Sequence, residues 1–284
     1  MTKTKPIIWS YGGGKQTAAI AVLVAQKRLP RPERIVMADT GRECQTTFDY
    51  LNNYIAPLLE TVGCQVEIIS HDYSKQDLYY VDKEGNESDL PLMPVWTRQK
   101  NKISQLPNLC SGFWKRDAVI KWLTEPEQYY GRQKIESVDE NGKPETKTFP
   151  VTQWIGFSRD EISRCKPSQR KWIKNEYPLI MGYGVSFSRD ECVELVLNAG
   201  LPEPPKSRCW MCPYQTAAEW RDVKSRPEEW AKAIDLDFEI RSRDKQSAVY
   251  LHRSGTALID ADLSDKPEPL FDYAQMECSE GCWV

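Results

Sequence analysis

Two groups of residues carry the chemistry this sequence can do. In the first, the apolar run Ile7-Ile8-Trp9 leads into Ser10-Tyr11-Gly12-Gly13-Gly14-Lys15-Gln16-Thr17, and helix formers from Ala18 to Ala25 follow. Glycines at a strand-to-helix junction let the backbone approach an anion closely, and the helix N-terminus adds unpaired amides and a partial positive charge. Lys15 can reach a phosphate as a point charge, while Ser10 and Thr17 can donate hydroxyls to its oxygens. The spacing departs from the Walker loop, which places four residues before its Gly-Lys-Ser/Thr triplet. The second group is sulfur. Cys209-Trp210-Met211-Cys212-Pro213 sets two thiols around a turn, a spacing that holds one metal, two corners of a cluster, or a redox pair. Cys278 and Cys282 can approach the same site.

Composition narrows the classes. The 284 residues carry 38 Lys and Arg against 41 Asp and Glu, a net charge of −3. That argues against attachment to nucleic acid by bulk electrostatics and leaves room for a local basic groove. Nine cysteines without an export pattern are expected as reduced thiols, metal ligands or reactive groups. Cys44, Cys64, Cys165 and Cys192 read as small core residues. With only His71 and His252, neither a His-rich zinc site nor a pair of catalytic histidines is expected. No apolar run approaches the ~18 residues of a membrane span, and residues 1–14 lack a secretory pattern. A cytoplasmic protein is expected, working with cysteine, lysine, carboxylates and backbone amides.

The elements that must position these residues are legible. Strands at 6–9, 34–38, 65–70 and 151–157 alternate with helices over 18–25 and 46–61, which predicts an α/β fold with a doubly wound, mainly parallel sheet. Ligands of such sheets sit at the carboxyl ends of the strands. Residues 80–96 and 131–150 read as hairpin or loop insertions, marked by Glu84-Gly85-Asn86 and Asn141-Gly142. Residues 1–184 are thus expected to form a nucleotide-binding α/β domain, and 185–284 a helical region bearing cysteines. In the latter, Ser188 with Glu191 forms a capping box and Pro227 opens a long helix.

Ser10 to Thr17 resembles the pyrophosphate loop, Ser-Gly-Gly-x-Asp-Ser, of the adenine-nucleotide α-hydrolase (PP-loop) superfamily. Gln16 stands where that family carries Asp, and Thr17 where it carries Ser. Other segments, in chain order, are similar to its phosphoadenylyl-sulfate reductase-like branch. These are Ala38-Asp39-Thr40-Gly41-Arg42-Glu43; Cys110-Ser111 with Trp114-Lys115; Trp154 to Glu161 with Arg164 and Lys166-Pro167-Ser168; Pro204 to Pro213; and Glu277-Cys278 with Gly281-Cys282.

The resemblance implies ATP with Mg2+ as the nucleotide. Its phosphates would lie on Ser10, Gly12, Gly13, Gly14, Lys15, Gln16 and Thr17, and its adenosine on Asp39, Thr40, Gly156 and Asp160. Lys15, Lys115 and Arg164 would stabilise developing charge. It also implies a 4Fe–4S cluster on Cys110, Cys209, Cys212 and Cys282, with Ser111 where iron–sulfur members carry a second cysteine. The alternative is zinc on Cys209, Cys212, Cys278 and Cys282. The expected activity is an ATP pyrophosphatase that adenylates an oxygen of a nucleic acid, DNA phosphate first, for sulfur insertion beside a cysteine desulfurase. Alternatives are tRNA thiolation, a sulfonucleotide reductase using Cys278 and thioredoxin, and a non-catalytic nucleotide-binding adaptor.

Overall fold

The protein is described by a computed structural model over residues 5–264, apart from 74–75, 101, 139, 141 and 244–247. Cys278 and Cys282 lie outside the described residues. From the amino end, the elements are β1 (Ile7–Ser10), α1 (Lys15–Ala25), β2 (Arg34–Ala38), α2 (Gln45–Tyr50), a π turn (Leu51–Ile55), α3 (Ala56–Glu60) and β3 (Val66–Ile69). Two hairpins follow, β4 (Tyr79–Val81) with β5 (Glu87–Pro91), and β6 (Trp96–Gln99) with β7 (Lys102–Gln105). A second π turn (Gly112–Asp117) runs into α4 (Ala118–Leu123), and then β8 (Gly131–Val138) pairs with β9 (Pro144–Phe149). After β10 (Val151–Ile155) and β11 (Ile173–Glu176) come α5 (Arg189–Asn198), α6 (Ala217–Lys224), α7 (Pro227–Arg243) and β12 (Ala248–Tyr250). Both predicted insertions therefore contain hairpins.

The central sheet has the order β11-β10-β1-β2-β3, and every pair in it is parallel. Its inner strands β1, β2 and β10 are buried on both sides because both faces are covered. Trp9, Ile35, Met37 and Trp154 pack on one face with α1, Leu59 and Val196 of α5. Ile8, Val36, Ile69, Val151 and Ile173 pack on the other with Val119, Trp122 and Leu123 of α4. Helix α1 is buried from Thr17 to Val24, as expected of a helix apolar all round and enclosed between a sheet and a further helix layer. The predicted capping box of Ser188 and Glu191 starts α5, which lies against α1. From β1 the chain winds outward to β2 and β3, then crosses back to β10 on the other side of β1. The switch between β1 and β10 makes their carboxyl ends the place for a ligand crevice.

A second apolar cluster joins the insertion to the later helices. Leu78, Leu92, Met93, Val95 and Trp114 pack with Met211, Trp220, Val223, Leu236, Ile240 and Val249. Beneath it, β6 pairs on one side with β7 and on the other with β12. Buried Asp237 ties this region together by accepting from the amides of Leu251 and Leu258, each at 3.0 Å. Among the described residues, no helix is long and apolar enough to cross a membrane.

Candidate functional site

The glycine turn leaves β1 and enters α1 with Gly13 at φ +78° and Gly14 as the N-cap. Glycine is required at 13 for two reasons. The left-handed φ disfavours a side chain, and a Cβ there would stand 2.3 Å from Thr47 Cγ2. At the end of β10, a Cβ on Gly156 would come within 2.9 Å of Thr17 Cγ2, so this glycine lets the strand end close onto α1. Ser10 Oγ accepts from Gln153 Nε2 at 2.7 Å and keeps its own proton to donate. Thr17 Oγ1 donates to the carbonyl of Gly14 at 2.9 Å. Lys15 Nζ lies 2.9 Å from Glu203 Oε1.

The remaining predicted nucleotide residues sit at neighbouring strand ends, each engaged with the protein. Asp39 Oδ1 accepts from the amide of Gly41 at 2.7 Å, and Thr40 Oγ1 from that of Arg42 at 3.2 Å. Asp160 Oδ2 accepts from the amide of Arg189 at 2.6 Å, at the start of α5. Gln16 Nε2 donates to Glu161 Oε2 at 2.7 Å. Glu161 also closes a capping box with Ser158 and pairs with Arg164, whose guanidinium lies 4.3 Å over the Phe157 ring. Position 16 thus carries an amide held by a carboxylate.

Ser10, Tyr11, Gly12, residues 36–38 at the end of β2, Glu43, Lys115 and Val119 line a cleft of about 10 Å3. As described, it is closed to anything larger than about one water. The π turn before α4 delivers Lys115 to it. Lys115 Nζ pairs with Glu43 Oε1 at 2.8 Å, with Lys115 14% exposed and Glu43 1%. Burial pulls the lysine pKa down, but Glu43 and Cys209 outweigh it, so Lys115 is held above its ordinary value.

Sulfur meets this pair directly. Cys209 Sγ lies 3.8 Å from Glu43 Oε1 and 3.7 Å from Thr40 Oγ1. The backbone fixes that approach: Glu43 bridges Cys209, the Cys44 amide donates to the Arg208 carbonyl, and the Trp210 amide to that of Arg42. Burial, then the carboxylate of Glu43, push the Cys209 thiol well above its usual range, with Lys115 acting the other way. Burial, then neighbouring Cys212, push Cys110 up to about 12, and burial raises Cys212. The fold thus brings three of the four predicted cluster cysteines into one neighbourhood. Three soft donors fit the chemistry of an iron–sulfur cluster or zinc. However, among the described residues no group of three or more His, Cys, Asp or Glu side chains is arranged to hold a metal ion. The expected fourth ligand, Cys282, lies outside the described residues.

The other readings separate cleanly. Cys44, Cys64 and Cys192 are buried, and Cys165 packs against a small cluster with Phe157 and Tyr177. His252 is buried with Nδ1 2.7 Å from Ser254 Oγ, while Trp220 and Trp230 pack edge to face. A wider depression of about 510 Å3 lies at the amino ends of β2 and β3, where Arg34 pairs with Glu67. That is the wrong edge of a parallel sheet for a ligand crevice. The roles of three glutamates escaped sequence reasoning. Glu43 and Glu161 stand in segments that carry the resemblance, and Ser158 with Glu161 has the capping-box spacing that marked α5, yet neither was read as a partner of Lys115 or Gln16. Glu203 gave no signal, since its partner Lys15 is distant in the chain. No protein-family model, curated protein or solved structure matches this chain.

Proposed function

We propose that this chain is an ATP pyrophosphatase of the PP-loop type that adenylates an oxygen of a nucleic acid, a DNA phosphate first, so that sulfur can replace it. One observation carries the reading: a glycine-rich helix start with its lysine, a buried Lys115–Glu43 pair and the Cys209 thiol share one end of the sheet. In this reading, the amides from Gly12 to Thr17 hold the β- and γ-phosphates, and Asp39 with the Gly156 segment holds the adenosine. An acceptor oxygen attacks the α-phosphorus, the bond to the β-phosphate oxygen breaks, and its electron pair leaves with pyrophosphate. A sulfur nucleophile from a cysteine desulfurase then displaces AMP. Positioning and charge neutralisation carry such a step, and Lys15, Lys115 and Arg164 are the cations available. The reading keeps a 4Fe–4S cluster on Cys110, Cys209, Cys212 and Cys282, with zinc as the alternative. Iron and zinc content of anaerobically purified protein decides between them.

The activity test is pyrophosphate release from ATP with Mg2+, with and without DNA. Release is expected; sulfite from a sulfonucleotide with thioredoxin would instead make the chain a reductase. One observation favours a second reading, a nucleotide-binding adaptor without turnover. Gln16, uncharged where the resembled loop carries Asp, donates its amide to Glu161. Tight ATP binding with no pyrophosphate under any condition would establish it.

A further inference from the structure

We infer that the β6–β7 hairpin is the element that grips the sugar–phosphate backbone of the nucleic acid. The inference rests on the nucleic-acid acceptor proposed above. Although 41 of the 284 residues are acidic, residues 90–116 contain no Asp or Glu and carry Arg98, Lys100, Lys102, Lys115 and Arg116. The first three crowd the end of one hairpin, where Gln99 faces Lys102 and Arg98 faces Ile103. All three are exposed, and none has an ion pair among the described residues. Several other surface cations, by contrast, have carboxylate partners, as Arg159, Lys174 and Arg243 do. A local cluster of unpaired cations on a chain of net charge −3 provides the positive surface a polyanion needs.

The hairpin is anchored at the candidate site and aimed by packing. At its base, Trp96 Nε1 donates to the Pro213 carbonyl at 3.0 Å, just beyond Cys212. The Leu106 amide donates to Val95, and the Cys110 amide to Leu92, both at 3.0 Å. The base of the hairpin is therefore bonded to two of the segments that carry the thiols. At ~3.3 Å per residue, the four steps from Trp96 to Lys100 span about 13 Å. That distance is roughly four nucleotide steps along one strand of a duplex. Arg98 is held in place, since its Nη1 donates to the Gly255 carbonyl at 3.3 Å and its stem lies against Gly255. β12 flanks β6, and β7 forms the open edge of this small sheet. Lysines on an edge strand also discourage pairing with other chains. Only the polyanion role predicts a salt-dependent affinity.

The test compares the full chain with an Arg98→Gln/Lys100→Asn/Lys102→Gln variant. Asparagine at 100 tolerates the left-handed backbone there (φ +52°). Binding to a labelled DNA duplex of about 20 base pairs, and to an RNA hairpin of matching charge, is measured against salt. We expect the variant to lose roughly 10- to 100-fold in affinity at low salt, with the slope of log K against log salt shallower by about 2.5 on DNA. Loss on either acid supports the proposal, and the acid affected identifies the backbone. The single change Lys100→Glu, on an exposed turn, repeats the test with little risk to the fold. Unchanged affinity and slope, or no binding by the parent chain, overturns the proposal. Pyrophosphate release by the same preparations separates the two readings. A parent chain that binds DNA through the hairpin yet releases none defeats the activity alone, and DNA-stimulated release with variant binding intact defeats the hairpin alone.

Discussion

Lys15 and Lys115 each end in an ion pair with a glutamate near the glycine turn, and the two pairs differ in how much water reaches them. The Lys15–Glu203 partners are 27% and 62% exposed, and the Lys115–Glu43 partners 14% and 1%. Water and salt screen the first, so it contributes little to stability, and its lysine is available to any anion that competes with Glu203. The second has been desolvated during folding, and breaking it leaves a charge with no water to stabilise it. The difference assigns the two lysines different work: Lys15 is exchangeable and suits a ligand that comes and goes, whereas Lys115 is fixed and sets the field around Cys209.

The sharpest way to break this comparison is Glu43→Ala. Leaving Lys115 buried and unpaired should cost about 3–5 kcal/mol of unfolding free energy, read from urea melts. A loss within the error of the melt would mean that water enters the cleft freely. Next comes Lys15→Ala, for which pyrophosphate release should fall on the order of 10²–10³-fold while the melt stays unchanged. Near-normal turnover in that variant would remove the glycine turn from the mechanism. Smallest is Glu203→Gln. Releasing Lys15 from its partner should tighten ATP binding by about two- to five-fold in a titration, without moving the thermal midpoint. Weaker binding would show that Glu203 helps to hold the nucleotide.

Much of the scaffold was legible because its signals are local. Apolar runs bounded by Gly and Pro marked β1, β2, β3 and β10, and the Ser188/Glu191 spacing marked α5. The small sheet of β6, β7 and β12 was not. Thr97 to Gln105 is polar with no alternation, and its partner strand lies about 150 residues further along the chain. The same physics divides the candidate site. Glycines, the lysine after them and the CxxC spacing declare themselves in short windows. Glu43 and Glu203 matter only through partners that folding brings to them, and 72 and 188 positions separate them from Lys115 and Lys15. That Ser10 is already bonded within the protein likewise depends on where β10 comes to lie, since its partner is Gln153.

The stretch from Glu203 to Cys209 has a mechanical consequence. At one end it holds the ammonium of Lys15; in its middle, Ser207 lies against Gly14; at the other it carries a sulfur bonded into the β2 loop. Such a short tether, with two proline rings at 204 and 205 to stiffen it, transmits a pull rather than absorbing it. An anion that evicts Glu203 would thereby shift the sulfur, and chemical capture of the sulfur would, by reciprocity, alter how firmly the anion is held.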